Sequence, residues 1–444
     1  MTKRRSCGRA RRGAVLVLVA VLMVVLVSVA ALSVDGGRLF QERRNVQAAS
    51  DLAAEAAGIE LYQRFEQFQG ADGDGEARAA ALAIAAANGY PEASPTSTVR
   101  VNIPPVTGPY QGQKGFAEVI ITSQLSRAFS GIFGSNDLAV TSRSVAAGTM
   151  IPSKASILVL DPKKKGSLKL KGKNSSISVQ GDIVVDSKSK DAVKVDKKSQ
   201  IHAEHLLVTG SVSRKSKGLI DADVQTGVVA TSDPMQSLPT PAKSTTLDPN
   251  DFKTSVNGKD VFKLPPGTYK ELKFSKDDVV QMQPGIFHVE NGVEFKGSTS
   301  VDGQEVMIFN AGKKGFKIES TGEVSITPPT SGIYEGISLF QNRIGKSRVE
   351  FKKGDHLDVE GVVYAPNSEV KFKNANVDTG DYEDDEDFET DSDEGLEDDS
   401  GSSLSLSSIG ASFISRRLSV EKGSLVRISG VNINVQRPLR GLVE

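Results

Sequence analysis

The first strong feature along the chain is an uninterrupted apolar run from Gly13 to Val34. It is 22 residues long and contains no charged residue. As an α-helix it would rise about 33 Å, enough to cross a hydrocarbon core of about 30 Å. The run therefore predicts one transmembrane helix at 13–34. A cleaved signal peptide is the alternative, because Ser28-Val29-Ala30 resembles a small-x-small cleavage site, but signal peptides usually have a shorter apolar segment of about 7–15 residues.

A different periodicity begins after Pro152, where apolar-x-apolar pairs alternate with short polar turns. Alternation with period two places both apolar side chains on one face of a strand. The copies recur at roughly 20–45 residues, which is typical of solenoids whose coils share one core. We predict a parallel β-helix over 155–435, with loops at 210–255 and 377–408; an antiparallel β-sandwich is the alternative. The successive pairs begin at Leu168, Ile177, Val193, Ile201, Leu272, Val280, Phe316, Val324, Val349, Leu357, Leu418 and Val426.

The segment between these two regions has helical and strand-like patterns. Alanines spaced by charged residues predict a helix from Arg38 to Phe68, ended by the glycines that begin at Gly70. A second helix is predicted from Glu76 to Asn88. A strand at 116–121, a short helix at 125–133 and a strand at 138–147 follow. The predicted fold class is multidomain α+β: a transmembrane helix, a small α/β domain at 35–150 and a mainly-β parallel β-helix at 151–444.

Charge sets the expected topology of the anchor. Basic residues that flank an apolar helix favour the cytoplasmic side of a membrane. The tail at 1–12 should therefore stay inside, and the bulk of the chain should lie outside the cytoplasm as a single-pass inner-membrane protein. The residues that carry this prediction are Lys3, Arg4, Arg5, Arg9, Arg11 and Arg12.

The rest of the composition refines this picture. The single cysteine, Cys7, excludes an internal disulfide, so stability must come from packing or repetition. The net charge of −1 hides a lysine-rich stretch at 163–217 and an acidic tract at 378–399. The acidic tract cannot bury a core and predicts a disordered loop at 378–408. The lysines at 163–198 are a solvated strand face or a surface for anionic polymers.

The segment at 11–57 resembles the N-terminal part of TadE/TadG-like proteins of the tight-adherence (Flp) pilus system. The matching features are Arg11-Arg12-Gly13 before the apolar run, then Val34-Asp35-Gly36-Gly37-Arg38, then an alanine-rich helix. Within that helix the resemblance continues through Asn45, Gln47, Ala48, Ala49 and Asp51. Leu18 stands where prepilins carry a glutamate, so the resemblance implies a pilus-associated envelope protein and not a pilin subunit.

The best candidate for a catalytic group is the constellation Asp355-His356-Leu357-Asp358. Polysaccharide-active β-helices need clustered carboxylates for calcium or for acid–base work. The repeat places Asp358 in one outward column with non-acidic neighbours, which indicates a solvated face. These neighbours are Ser178, His202, Gln281, Ser325 and Arg427. We therefore predict no catalytic, metal or cofactor-binding residue, and keep Asp355, His356 and Asp358 as surface candidates.

These patterns predict a membrane-anchored, non-enzymatic structural or adhesion protein associated with a Flp/Tad-type pilus or cell-envelope assembly. The expected partners are the lipid bilayer, components of a pilus or secretion assembly, and anionic surface polymers; a small-molecule substrate is not expected. The alternative is a membrane-tethered lyase or hydrolase that acts on polysaccharide from the β-helix.

Overall fold

The computed structural model describes residues 12–129, 137–213, 217–344, 346–352, 357–377 and 410–444. These residues divide into two compact units: 1–151 together with Pro438–Glu444, and Pro152–Arg437. The C-terminal residues belong to the first unit because Val443 and Glu444 form backbone hydrogen bonds with Val145.

The first unit is built on one long helix, α1 (Arg12–Gln63). A single turn, α2 (Phe65–Phe68), and a second helix, α3 (Glu76–Ala87), follow it. An antiparallel sheet comes next, in the order β1 (Ser97–Asn102), β2 (Phe116–Leu125) and β3 (Leu138–Val159). Alanines let the helices approach the sheet closely, and the buried side chains of α1, α3 and the sheet form one core. At the closest crossing, a Cβ on Gly148 would lie 1.9 Å from the carbonyl oxygen of Gly58.

The predicted short helix at 125–133 is wrong where the structure describes it. Leu125 pairs with Leu138 in the β2–β3 hairpin. The backbone N–H groups of Ala128 and Phe129 donate to the side chain of Asp35, so they are not used in a helical turn. Residues 130–133 lie outside the described part of the chain.

The second unit is a solenoid with three strands to a coil, and its stacked coils confirm the predicted parallel β-helix and exclude the antiparallel sandwich. We name the sheets A, B and C after the strands of one coil, Val306–Asn310, Phe316–Ser320 and Ser300–Gly303. Besides these and β3, the strands are Leu168–Lys171, Ser176–Val179, Asp182–Val185, Val193–Val195, Gln200–Val208, Leu219–Thr226, Thr246–Leu247, Lys253–Val256, Lys259–Leu264, Gly267–Tyr269, Leu272–Phe274, Val279–Met282, Gly285–Val289, Val293–Gly297, Val324–Ile326, Ile337–Gln341, Arg348–Lys352, Leu357–Val359, Gly361–Lys373, Asn376–Val377, Ala411–Glu421, Leu425–Ile428 and Ile433–Leu442.

The coils do not stack in sequence order. From Thr246 onward each coil stacks on the one before it, up to Ala411–Glu421. That strand then pairs with β3 and with Leu168–Lys171, and Leu425–Ile428 pairs with Ser176–Val179. The N-terminal coils therefore continue the stack from its C-terminal end, and Leu219–Thr226 forms the far end.

A strap formed by residues 227–245 joins the two ends of this permuted stack. Along its length it contacts successive coils on the outer side of sheet A. Thr231 N–H donates to Asp186, Tyr364 donates to Asp233 and His288 lies 3.2 Å from the carbonyl of Pro241. Apolar strap residues pack against a second buried cluster on the same side of the sheet.

Part of the predicted loop at 210–255 is wrong, because strands Leu219–Thr226 and Lys253–Val256 and a 3-10 turn at Pro249–Phe252 lie within it.

The solenoid interior is apolar and aromatic. The apolar residues of the predicted pairs are buried, because period two aims them all inward. Phe351, Phe372 and Phe413 from three successive coils pack with ring centroids 5.1–6.1 Å apart; Phe351 and Phe372 are stacked, and Phe413 meets both edge-on. This core holds the outward side chains of sheets B and C in fixed columns.

Candidate functional site

The outward side chains of sheet B form a column of charges. Strand register places one such residue per coil, and coils in a parallel sheet are about 4.8 Å apart. In stack order the column is Lys273, Glu294, Lys317, Glu350, Lys371, Ser419, Lys169 and Lys194. Charges alternate over the first five positions and are only positive at the last two.

The alternating part of the column is internally paired. Glu294 lies 3.1 Å from Lys317 and 2.7 Å from Lys296, and Glu350 lies 2.8 Å from Lys352. Burial acts to raise the pKa of both glutamates, but the lysine contacts outweigh it and hold each pKa below its usual value. This part of sheet B therefore has little free charge to offer a partner.

The N-terminal coils carry an excess of lysines instead, which we call the basic face. They lie on sheet B and on the two corners that flank it. Within the described residues of the chain, one ion pair is recorded for them, Lys165 with Asp191 at 2.7 Å. That contact, followed by a hydrogen bond from Ser213, lowers the pKa of Asp191 to about 2. The residues of the basic face are Lys163, Lys164, Lys165, Lys169, Lys171, Lys173, Lys188, Lys190, Lys194, Lys197 and Lys198.

Backbone hydrogen bonds between successive turns fix the corners of the basic face. Lys188 N–H donates to the carbonyl of Pro162 at 3.0 Å, and Asn174 N–H donates to that of Lys198 at 2.8 Å. Lys169 and Lys194 are half-buried, whereas the other lysines of the face are exposed. The aliphatic stems thus lie along the sheet while the ammonium groups reach solvent, an arrangement suited to a linear polyanion.

The sequence candidates for catalysis are only partly described. Asp355 and His356 lie outside the described residues, as do Lys3, Arg4, Arg5, Arg9 and Arg11, whereas Arg12 is the first residue of α1. Asp358 is half-buried in sheet C, where Ser325 of the next coil separates it from Asp302. Burial raises the pKa of the Asp358 carboxyl, and the charges of Glu360 and Glu323 raise it further.

One buried polar cluster was missed at the level of the sequence. His205 Nδ1 lies 2.8 Å from Asp182 Oδ1, and Arg437 Nη1 lies 3.0 Å from His205 Nε2. Asp182 and Glu204 also place carboxylate oxygens near the ring, a geometry that can hold a metal ion. Both ring nitrogens are already hydrogen-bonded and Arg437 brings its own positive charge, so the cluster is better suited to fixing the coil than to binding a cation. Asp182 and His205 are 23 residues apart, which is the length of one coil, and this spacing was the sequence signal that could have revealed the cluster.

The motif residues of α1 dock the helix onto the sheet of the first unit. Asp35 accepts hydrogen bonds from the N–H groups of Ala128 and Phe129, each at 3.1 Å. Further along, Asp51 accepts from Ser144 at 2.6 Å, and Ser50 contacts Ser142 at 2.8 Å. The polar residues of the motif therefore have a structural role in this chain.

The apolar part of α1 is long and apolar enough to cross a membrane, and its side chains are almost all exposed. This fits the predicted single-pass membrane protein. A membrane supplies the environment that these exposed valines and leucines need.

Comparison with known proteins agrees with the motif. Residues 13–60 match the sequence model of the family described as "Putative Flp pilus-assembly TadE/G-like". No curated protein and no solved structure matches the chain. The match supports a Flp/Tad pilus-associated membrane protein. Residues 13–60, the apolar helix and its docked extension, are thus similar to TadE/G-like proteins, and the parallel β-helix is a separate region of the same chain.

Proposed function

We propose that this protein is an envelope-anchored adhesion protein whose solenoid holds anionic polysaccharide on the basic face. In this proposal α1 crosses the inner membrane with residues 1–12 in the cytoplasm, and the solenoid lies outside the cytoplasm. The observation that carries the proposal is the asymmetry of sheet B, where lysines are paired with glutamates in the C-terminal coils and in excess in the N-terminal coils.

The geometry favours a linear polymer over a small ligand. The lysines occupy two successive coils and the corners that flank them, so a chain with one carboxylate per sugar can meet several ammonium groups at once. Each exposed contact of this kind contributes about 0.2–1 kcal/mol and is weakened by salt. Affinity must therefore come from many weak contacts, which suits a structural protein that holds matrix and does not turn it over.

Neutralising three lysines of the basic face should weaken binding of a polyuronate about tenfold. The variant is Lys169→Gln/Lys171→Gln/Lys194→Gln, and three lost contacts at roughly 0.5 kcal/mol each give that factor. Binding of the full chain in lipid vesicles would be measured by co-sedimentation at low and high salt. Cells that express the variant should attach less to surfaces.

The matched control removes three positive charges from the paired part of the same sheet. Lys296→Gln/Lys317→Gln/Lys352→Gln changes the net charge equally, but its lysines are already bound to glutamates. Equal losses in both variants would contradict a local site. Tighter binding of single-stranded DNA than of polyuronate would instead assign the basic face to nucleic acid.

The half-buried Asp358 favours a second candidate function, that of a polysaccharide lyase or hydrolase. A carboxyl whose pKa is raised can act as a general acid. Incubation of the full chain in vesicles with polyuronate separates the two functions. The length of the polymer would be followed with and without calcium. Shortening of the polymer that Asp358→Asn abolishes would favour the enzyme, whereas unchanged length favours the binding protein.

A further inference from the structure

One side of α1 is buried against the rest of the first unit, and this buried stripe extends into the apolar run of the helix. Beyond the membrane segment, the residues buried against the rest of the first unit follow helical spacing and include Val46, Ala49 and Ala53. The same stripe extends backward through Asp35, which is 5% exposed, and Ala31, which is 7% exposed. Ser28, one turn further, is half-buried. The neighbouring residues Val24, Val27, Leu32 and Val34 are 46–66% exposed.

The position of the buried stripe along α1 indicates how close residues 126–129 lie to the bilayer. Asp35 directly follows the apolar run. With a rise of 1.5 Å per residue, Ala31 lies about 6 Å and Ser28 about 10 Å on the apolar side of Asp35. Part of the first unit therefore covers α1 at levels that belong to the membrane boundary. The N–H groups of Ala128 and Phe129 donate to Asp35, so these two residues lie at that level.

The side chains at this level suit a lipid surface. Phe129 is 56% exposed, and Phe40, about 8 Å beyond Asp35 along the helix, is 73% exposed. Arg38, Arg43 and Arg44 are exposed on the same part of α1. An aromatic side chain at the acyl boundary, with a second aromatic residue and arginines at the level of the headgroups, is the composition of an interfacial segment.

We propose that residues 126–129 and Phe40 form a lipid-docking surface that holds the first unit against the bilayer. This inference rests on the membrane anchor of the proposed function. It adds a second contact with lipid, made by residues 126–129 and Phe40 and not by the apolar run of α1. Two contacts would restrict tilting of the unit about α1, because rotation would pull Phe129 out of the acyl boundary.

Single-tryptophan variants test the proposal, because the chain contains no natural tryptophan. Phe129→Trp replaces one exposed aromatic residue with another. Leu26→Trp reports on the anchor, and Ile59→Trp, 46% exposed and about 36 Å beyond Asp35 on the same helix, is the matched control in water. Each full-length variant would be reconstituted in phosphatidylglycerol/phosphatidylcholine vesicles that contain lipids brominated at shallow or deep acyl positions.

We expect the emission of Phe129→Trp to shift to the blue and to be quenched mainly by the shallow bromine. Leu26→Trp should be quenched most by the deep bromine, and Ile59→Trp by neither. Quenching of Leu26→Trp with no more quenching of Phe129→Trp than of Ile59→Trp would overturn the docking surface and leave the anchor intact. Absence of quenching for Leu26→Trp would overturn both.

Discussion

Replacing Phe372 with alanine should lower the free energy of unfolding of the solenoid by about 3–5 kcal/mol. The ring is fully buried and lies 5.1 Å from Phe351 and 5.6 Å from Phe413, in the coils on either side. Removal would leave a cavity that both neighbours border, and the parallel ladders prevent the coils from closing it. Urea unfolding followed by far-UV circular dichroism would measure the loss.

This position also connects the core to the basic face. Gly361–Lys373 pairs with Ala411–Glu421, and Ala411–Glu421 carries the N-terminal coils through Leu168–Lys171. In a stacked array, stability depends on contacts between neighbours, so damage at Phe372 should loosen the seam that supports the lysines. We expect amide exchange to accelerate in 155–208 as well as in 361–373.

Two variants set the scale for Phe372→Ala. Ile344→Ala removes a comparable apolar side chain that is 81% exposed and should change stability by less than about 0.5 kcal/mol. Phe372→Leu refills most of the volume and should recover much of the loss. If Phe372→Ala were as stable as Ile344→Ala, the aromatic stack would not be part of the solenoid core.

Sequence periodicity was sufficient for the local fold of the solenoid. Pairs such as Leu168/Leu170 and Val324/Ile326 alternate with polar residues, and this pattern alone determines which face of a strand is buried. The long apolar helix near the N-terminus was predictable for a similar reason, since an uncharged run rich in valine and leucine is typical of a membrane-crossing helix. Strong one-dimensional patterns of this kind need no knowledge of their partners.

The order of the coils was not predictable from the same pattern. Every coil offers an apolar-x-apolar strand, so Ala411–Glu421 could pair equally well, by periodicity alone, with any of them. What selects Leu168–Lys171 as its neighbour is tertiary: side chains that fit across the seam, and a strap that is long enough to span the stack. The seam pairs Leu418 with Leu168, residues separated by more than 200 positions, and such a pairing leaves no local signal.

The charge pattern of sheet B could not be predicted because some of its strands were missed in the sequence. The predicted copies included the strands with Lys169, Lys194, Lys317 and Glu350 but missed those with Glu294 and Lys371. Without the missing strands, the sequence left open whether the lysines form a solvated face or a surface for anionic polymers. The alternation in one part and the excess in the other became visible only when the strand register placed each strand beside its neighbour.

The contact between the strap and the N-terminal coils includes a buried carboxyl group, that of Asp186. It is 4% exposed and accepts a hydrogen bond from Thr231 N–H of the strap at 2.9 Å. Among the residues that the structure describes, no ion-pair partner is recorded for it. Burial raises the pKa of Asp186 to about 7, although the hydrogen bond from Thr231 acts to lower it.

This raised pKa makes the folded state bind a proton more tightly than the unfolded chain does. Between the ordinary value near 3.8 and about 7, the native state holds more protons, so this group adds stability as the pH falls and removes it as the pH rises. Above pH 7 the ionised carboxylate must be held in a buried site. The full difference, roughly three pKa units at about 1.4 kcal/mol each, is on the order of 4 kcal/mol.

Asp186→Asn should therefore stabilise the protein at pH 8.5 by up to that amount and change it little near pH 4, because the amide keeps an acceptor for Thr231 without acquiring a charge. Urea unfolding at a series of pH values would give the difference between variant and native chain, which cancels all other titrating groups. Asp191→Asn is the matched control, since the pKa of Asp191 is lowered by Lys165 and its removal should give no gain at high pH. A constant difference between Asp186→Asn and the native protein from pH 4 to 8.5 would show that folding does not raise the pKa of this carboxyl, and the strap would then hold the coils independently of pH.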